Sequence, residues 1–259
     1  MDRRSFLVKG SSFLFGSFFG WNCFSNAFAF GDRKESVASR PRISLIIDDI
    51  GQSISHARRF FELDCPITFS ILPRLVHSHD LALEIHERGY ETMLHQPMEP
   101  CNPDICPGPG ALYVGDEKGR IEEIMQENIS SMPFARGVNN HMGSRFTACE
   151  REIGEALTEV HKRGLFFIDS LTSSRSVAYE MAKRLHIHTA CRNVFLDNVP
   201  SDSYIKRQLL KLSRCARQYG HAVGIGHPFR QTAESIRDYL NTAEHSRMDF
   251  VFVSGILKS

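Results

Sequence analysis

Tryptophan occurs once in this chain of 259 residues, at Trp21, close to the N-terminus. Charge of one sign is not in excess. The 31 Lys and Arg balance 30 Asp and Glu, which leaves no basic field for nucleic acid. Long apolar runs are missing too. The weakly apolar stretch 11–24 is interrupted by Gly and Ser and falls short of the ~20 residues that a membrane span needs. Three signatures are also absent. No Gly-x-Gly-x-x-Gly follows the first predicted strand, so a dinucleotide-binding fold has little support. No repeated Cys-x-x-Cys marks a zinc ribbon, and no Gly-x-Ser-x-Gly elbow marks a serine hydrolase.

The first residues, Arg3-Arg4-Ser5-Phe6-Leu7, then the weakly apolar stretch, then Ala27-Phe28-Ala29, have the layout of a signal peptide. The paired arginines are of the twin-arginine type, with cleavage expected near Ala29. An uncleaved anchor is the competing reading. Residues 1–29 are therefore expected to direct export, to a periplasmic or otherwise exported location, with membrane contact only during export. Six cysteines follow this segment: Cys65, Cys101, Cys106, Cys149, Cys191 and Cys215. An oxidising compartment permits disulfides, and Cys101 and Cys106 share one Pro-rich loop and can pair. Structural thiols are the simpler reading for most of them.

Residues 30–41 are polar without periodicity and read as a linker. From residue 42 the pattern alternates. Strands are predicted at 43–47, 66–72, 91–95, 135–140, 165–169, 193–196, 222–225 and 250–253. Helices are predicted at 54–63, 79–88, 118–130, 150–163, 176–185, 204–219 and 232–241. A loop at 96–115 carries five prolines and three glycines. Strands alternating with helices point to parallel βαβ units. Residues 42–259 are expected to form one α/β domain, a distorted (β/α)7–8 barrel, with an open doubly wound sheet as the alternative.

The unusual polar residues fall at predicted strand ends: Asp48-Asp49, His95, His141, Asp169, Asp197 and His227. In a barrel these ends share one face, where active sites sit. Any one acid there can simply cap the next helix. Adjacent carboxylates in a pocket repel, so at least one of Asp48 and Asp49 wants a cation or a shared proton. Asp49 on a metal leaves Asp48 free as a base. Glu99 lies four residues after His95, in a segment too Pro-containing for a helix, so a loop curling back is expected. Asn139-Asn140-His141 before Gly143-Ser144 reads as a polar rim that binds substrate or metal, or as a hydrogen-bonded turn. His227 sits in a tight Gly-His-Pro turn, where a capping role competes with a catalytic one.

Five segments in order resemble the divergent polysaccharide deacetylases: Ile46-Ile-Asp-Asp-Ile-Gly51, Thr68-Phe-Ser-Ile-Leu-Pro73, Leu94-His-Gln-Pro-Met-Glu-Pro100, Gly137-Val-Asn-Asn-His-Met-Gly-Ser144 and Gly224-Ile-Gly-His-Pro228. The resemblance covers residues 42–259. It implies a distant relation to the NodB-like carbohydrate esterases, with a distorted barrel and an Asp-His-His metal site. It places the base on Asp48, metal ligands on Asp49 and His95, and the general acid on His227. The second His of the NodB-like His-x-x-x-His is Glu99 here, so the third ligand is Glu99 or His141. The Arg-Pro-Pro-x-Gly motif is absent, and residues 139–144 stand in its place.

The expected function is an exported, metal-dependent deacetylase of an acetylated cell-wall polysaccharide, with a divalent ion, Zn²⁺ by preference. Asn139, Asn140, Ser144 and Asp169 are the expected substrate contacts. Two rivals are a glycosidase using two carboxylates and a non-catalytic envelope protein that binds glycan, a cell-wall hydrolase or its regulator. No nucleic-acid partner is expected.

Overall fold

A computed structural model describes residues 40–257. The signal-peptide reading of residues 1–29 lies outside the described residues, as does the linker apart from Arg40 and Pro41. Strand β1 (Arg42–Ile50) opens the domain, followed by α1 (Ile54–Phe61), β2 (Ile67–Ile71), α2 (Ser78–Glu87), β3 (Glu91–Met98) and α3 (Lys118–Ser130). Next come β4 (Ala135–Met142), α4 (Glu150–Lys162), β5 (Phe166–Asp169), α5 (Ala178–Arg184), β6 (Thr189–Cys191) and β7 (Val194–Phe195). The domain ends with α6 (Asp202–Tyr219), β8 (His221–Gly226), α7 (Arg230–Leu240) and β9 (Asp249–Phe250).

All strand pairs are parallel, in the order β6-β5-β4-β3-β2-β1-β8-β7. Strands covered on both faces read as continuous apolar runs, which is why residues 43–47 contain no alternation. The end strands β6 and β7 are joined by only Arg192 and Asn193. Three Cα steps span at most about 11 Å. The sheet must therefore curl until its two edges nearly meet, giving a barrel with a seam instead of an open doubly wound sheet.

Two apolar layers follow from this curl. The outer one packs the helices on the sheet, with Phe60, Leu81, Ile121, Leu157 and Leu212 against Leu45, Phe69, Leu94 and Val138. In α4, Ile153, Ala156, Leu157 and Val160 recur at helical spacing and supply its buried stripe. The smaller inner layer fills the lumen with Ile46, Met93, Phe166, Ile168, Val223 and Ile225. Helix α6 shows sequence signals at both ends: the Ser201 side chain accepts from the Tyr204 N–H, and Gly220 takes the left-handed φ of 82° at the C-cap.

The N-terminal end of the lumen is plugged by the chain's last described segment. Strand β9 pairs with Arg42 and Ile43 of β1, where β2 has not yet begun to pair. Ser44 Oγ then donates to the Val251 carbonyl, and Glu91 Oε1 accepts from Thr68 Oγ1 and the Ser254 N–H. Val253 and Ile256 close the floor as buried side chains. The strand predicted at 250–253 is thus shorter and turns into a 3₁₀ turn at Val253–Gly255.

Two further differences bear on the site. β6 is absent from the sequence reading. β3 runs on to Met98 through Pro97, where a loop was expected. β2 last pairs with β3 at Ile71 and Leu94, so the edge that lacks the Pro97 N–H is already vacant. Leu112 occupies that edge instead, donating to the Pro97 carbonyl.

A Cβ added to Gly137 in β4 would lie 2.1 Å from the Phe166 ring. Gly137→Ala is expected to destabilise the fold by about 1–3 kcal/mol through overpacking of the lumen, read from the denaturation midpoint.

Candidate active site

Period-two alternation sends Ile46 and Asp48, Thr68 and Ser70, Met93 and His95, and Asn139 and His141 to the lumen. The C-terminal layer of that lumen is the polar one. His95 pairs in register with Asn139, and His141 lies opposite Pro97, so the two histidines are diagonal neighbours on one face.

Asp48 and Asp49 are consecutive, and in a regular strand they would point to opposite faces. A bulge between Ile47 and Ile50 prevents this. Asp49 has a φ of 57°, a left-handed conformation that costs of order 1–3 kcal/mol in a residue with a Cβ. Both carboxylates consequently reach the same centre.

There, Asp49 Oδ1 lies 2.9 Å from His141 Nδ1 and 3.2 Å from His95 Nε2, and the two ring nitrogens are 3.1 Å apart. Asp49 Oδ1 is buried yet has no aligned hydrogen-bond donor. Three lone-pair atoms at these separations nearly match one face of a tetrahedron about 3.3 Å on edge, as ligands 2.0–2.1 Å from a zinc ion require. Among the described residues, Asp49, His95 and His141 form the one such group. The set suits a borderline divalent metal, with two nitrogens and one oxygen.

Behind this group, the Asn139 side chain is fully buried and makes four contacts. Its Oδ1 lies 2.7 Å from His95 Nδ1 and 2.5 Å from the donating Ser70 Oγ. Its Nδ2 donates to Asp48 Oδ1 at 2.9 Å and to Ser170 Oγ at 3.2 Å. An amide oxygen can only accept, so His95 carries its proton on Nδ1. Nε2 is then free to bind metal.

Burial and neighbouring charge push the two carboxylates apart. Burial dominates at Asp48 and raises its pKa, although His95 and His227 oppose it. Burial also works against ionisation of Asp49, but the two adjacent imidazoles outweigh it and hold that carboxyl far below the usual range. Two carboxyls so divided suit two roles, a permanent anion and a proton acceptor.

On the far side, His227 Nε2 is 3.9 Å from Asp49 Oδ2. Its Nδ1 is 2.8 Å from Asp197 Oδ1, and Asp197 Oδ2 accepts from the His227 N–H and from Thr232 Oγ1. Burial lowers the His227 pKa, but Asp197, with smaller contributions from Asp48 and Asp49, more than reverses this and brings it to about 9. The ring is held between Phe195 and Phe229.

The remaining expected site residues are directed elsewhere. Glu99 accepts from the Val114 N–H at 2.7 Å and pairs with Arg145 at 2.6 Å, so it pins the long loop and stands apart from the three-ligand group. Asn139 is the buried hub just described and cannot reach a sugar. Asn140 accepts from the Ser170 N–H and donates to the Met142 carbonyl. Asp169 accepts from the Leu171 and Tyr179 N–H groups and from Ser176 Oγ, which is the capping role open to any strand-end acid. Ser144 Oγ accepts from the Cys101 N–H. Each of these four side chains thus holds a partner within the protein. The six described cysteines are free thiols, Cys101 and Cys106 included.

Ser70, Ser170 and Thr232 are site components absent from the sequence-based expectations, and Asp197, expected only as a strand-end acid, supports His227. Thr68 and Ser70 are the polar alternates within an otherwise apolar buried strand, a period-two signal that points to the lumen.

A family model described as divergent polysaccharide deacetylase matches residues 45–257, and the chain belongs to that family. The uncharacterized protein YibQ of Escherichia coli (strain K12) is 26% identical over 196 residues, covering 76% of this chain. The chain spans only 61% of that relative's length. A crystal structure of an uncharacterized protein from Agrobacterium tumefaciens C58 superposes with a TM-score of 0.77 at 26% identity, covering 84% of this chain and 89% of the other. The catalytic domain of a peptidoglycan N-acetylglucosamine deacetylase from Eubacterium rectale shares the fold, with a TM-score of 0.54 at 12% identity, covering 83% and 89%.

Asn139→Ala removes the partner of both Asp48 and His95. Metal affinity is expected to fall by about 10–100-fold, as for other outer-shell groups, measured by competition with a chromogenic chelator.

Proposed function

We propose that this protein is an exported, metal-dependent hydrolase that removes acyl groups from a polysaccharide. The observation that carries the reading is the convergence of Asp49 Oδ1, His95 Nε2 and His141 Nδ1, with Asp48 beside them and His227 facing them. Export is supported by the Arg3-Arg4-Ser5-Phe6-Leu7 leader pattern. The glycan class is supported by the family.

A divalent ion such as Zn²⁺ held by Asp49, His95 and His141 would supply a Lewis acid for the acyl carbonyl and make water acidic near neutral pH. Asp48, with its raised proton affinity, accepts the proton of the attacking water. His227, charged at neutral pH, donates a proton to the departing amine or alcohol. Asn139 keeps Asp48 and His95 in place, and Asp197 keeps His227 oriented. A glycosidase would need a second free carboxylate some 5–9.5 Å from the first. Glu99 and Asp169 are both tied into their own loops, so that reading loses its second acid.

Purified protein is expected to hold one zinc-class ion per chain by elemental analysis and to release acetate from acetylated cell-wall oligosaccharides. His141→Ala should abolish metal retention, whereas Glu99→Gln should keep it. A folded protein that neither carries nor takes up metal would overturn the mechanism, and metal lost in Glu99→Gln but kept in His141→Ala would overturn the ligand assignment.

The raised pKa of His227 sets the alkaline side of the pH profile. While protonated, His227 serves as an acid, and kcat/KM should fall as pH rises through its pKa, which a cation held by Asp49 places below the metal-free value of about 9. Asp197→Asn removes the anion that holds the proton, so the alkaline limb should move to lower pH. An unmoved limb would exclude His227 as the proton donor.

A further inference from the structure

Hydrolysis of an acylated glycan leaves two fragments, and one of them is the sugar. Water oxygen bonds to the acyl carbon, and the bond from that carbon to nitrogen or oxygen breaks. The departing atom takes the proton that His227 gives up. That atom belongs to the sugar, so the ring carrying it lies against the His227 side of the site.

Asn139, Asn140, Asp169 and Ser144 are engaged within the protein and leave a sugar to find its partners elsewhere. The surroundings of His227 differ. Strands β1 and β8 are neighbours and pair as far as Ile47 and Gly226. The segments that follow them consequently lie side by side, with Asp49 to His56 on one and His227 to Phe229 on the other.

A cavity of about 210 Å³ lies there, with Asp49 and His227 in its wall. Ile50, Pro228 and Phe229 give it an apolar surface, and Gln52 and His56 give it polar groups. Among the described residues, the Gln52 and His56 side chains have no hydrogen-bond or ion-pair partner. Its volume is that of about seven liquid water molecules, enough for one sugar ring.

The wall is preformed. The Phe229 ring, 45% exposed, lies 5.8 Å from the His227 ring. The Phe229 N–H donates to the His227 carbonyl at 2.7 Å, and the Phe229 carbonyl accepts from the Ala233 N–H at 3.2 Å as α7 begins. His56 is in the first turn of α1, and Gly51, with a φ of 128°, makes the turn that delivers Gln52. A surface already fixed in this way binds without first having to be ordered.

A pyranose has the matching chemistry. Its C–H groups form apolar faces, and its hydroxyls radiate from the rim. An aromatic ring covers such a face, while an amide and an imidazole beside it exchange hydrogen bonds with the hydroxyls.

We propose that Phe229, Gln52 and His56 form the subsite for the sugar that bears the acyl group, its ring stacked on Phe229 and its hydroxyls bound by Gln52 and His56. This inference rests on the acyl-hydrolase reading above and adds to it the residues that select a sugar.

The test follows acetate release by the zinc-loaded full-length protein from an acetylated cell-wall oligosaccharide and from vinyl acetate, an acetyl ester without a sugar. Phe229→Ala should raise the oligosaccharide KM by about tenfold, and Gln52→Ala and His56→Ala by about three- to tenfold each. Each variant should lose preference for the oligosaccharide over vinyl acetate by a similar factor, and Phe229→Tyr, which keeps the ring, should restore it. The substituted side chains are exposed or bonded only through their backbone, so the variants should fold. A wild type that cleaves vinyl acetate without preferring the oligosaccharide would overturn this inference alone, as would an oligosaccharide KM unmoved in Phe229→Ala. A loss confined to kcat in Phe229→Ala, with the alkaline limb displaced, would also overturn it, since the ring would then act through His227. Acetate released from neither substrate would overturn the acyl-hydrolase reading and this one with it.

Discussion

The carboxamide of Asn139 is the contact on which the rest of the site depends. Its four hydrogen-bonding directions reach Asp48 from β1, Ser70 from β2, His95 from β3 and Ser170 just beyond β5. A buried amide with every direction satisfied is rigid, and a partly satisfied one is costly. Five neighbouring strands are thereby referenced to one group at the open end of the lumen. Because amide oxygen accepts and amide nitrogen donates, the same group also determines which nitrogen of His95 carries the proton and which atom of Asp48 is engaged.

The bulge in β1 adds what a regular strand cannot provide. It turns two neighbouring acids inward, and their surroundings then separate them. Asp48 is buried beside Asn139 and holds protons more readily than an ordinary carboxyl. Asp49 faces two imidazoles and stays ionised. The left-handed backbone at Asp49 is strain offset by the close approach of its carboxylate to His95 and His141, and by any cation bound there.

Much of this was legible in the sequence because parallel strands announce themselves as apolar runs, and a polar residue that ends such a run stands out. Asp48-Asp49, His95, His141 and His227 were found in that way, and the structure brings all five residues together. Harder to read was anything dependent on register. Glu99 sits four residues after His95, a spacing that suggests a ligand pair, yet His141 reaches the centre because the register of β4 on β3 puts it opposite Pro97, diagonal to His95. Pro97 hid the continuation of β3, since only the vacated edge beyond Ile71 makes a proline harmless there. β6 spans three half-buried residues with no apolar run to mark it. Asn139 and Asn140 looked like sugar-binding amides because sequence shows a side chain's chemistry but not whether its partners are already supplied.

The floor of the lumen has a consequence for how the molecule comes into being. Its plug, with Val253 and Ile256, arrives after every other strand has been made, and β9 pairs with β1, some two hundred residues earlier. During vectorial synthesis the emerging chain can curl its sheet and set helices against its outer surface. Its inner apolar layer stays open to water at one end until this closing segment leaves the ribosome. Contacts between such distant parts of a chain form slowly. The half-made barrel is thus the species most in need of protection from its neighbours.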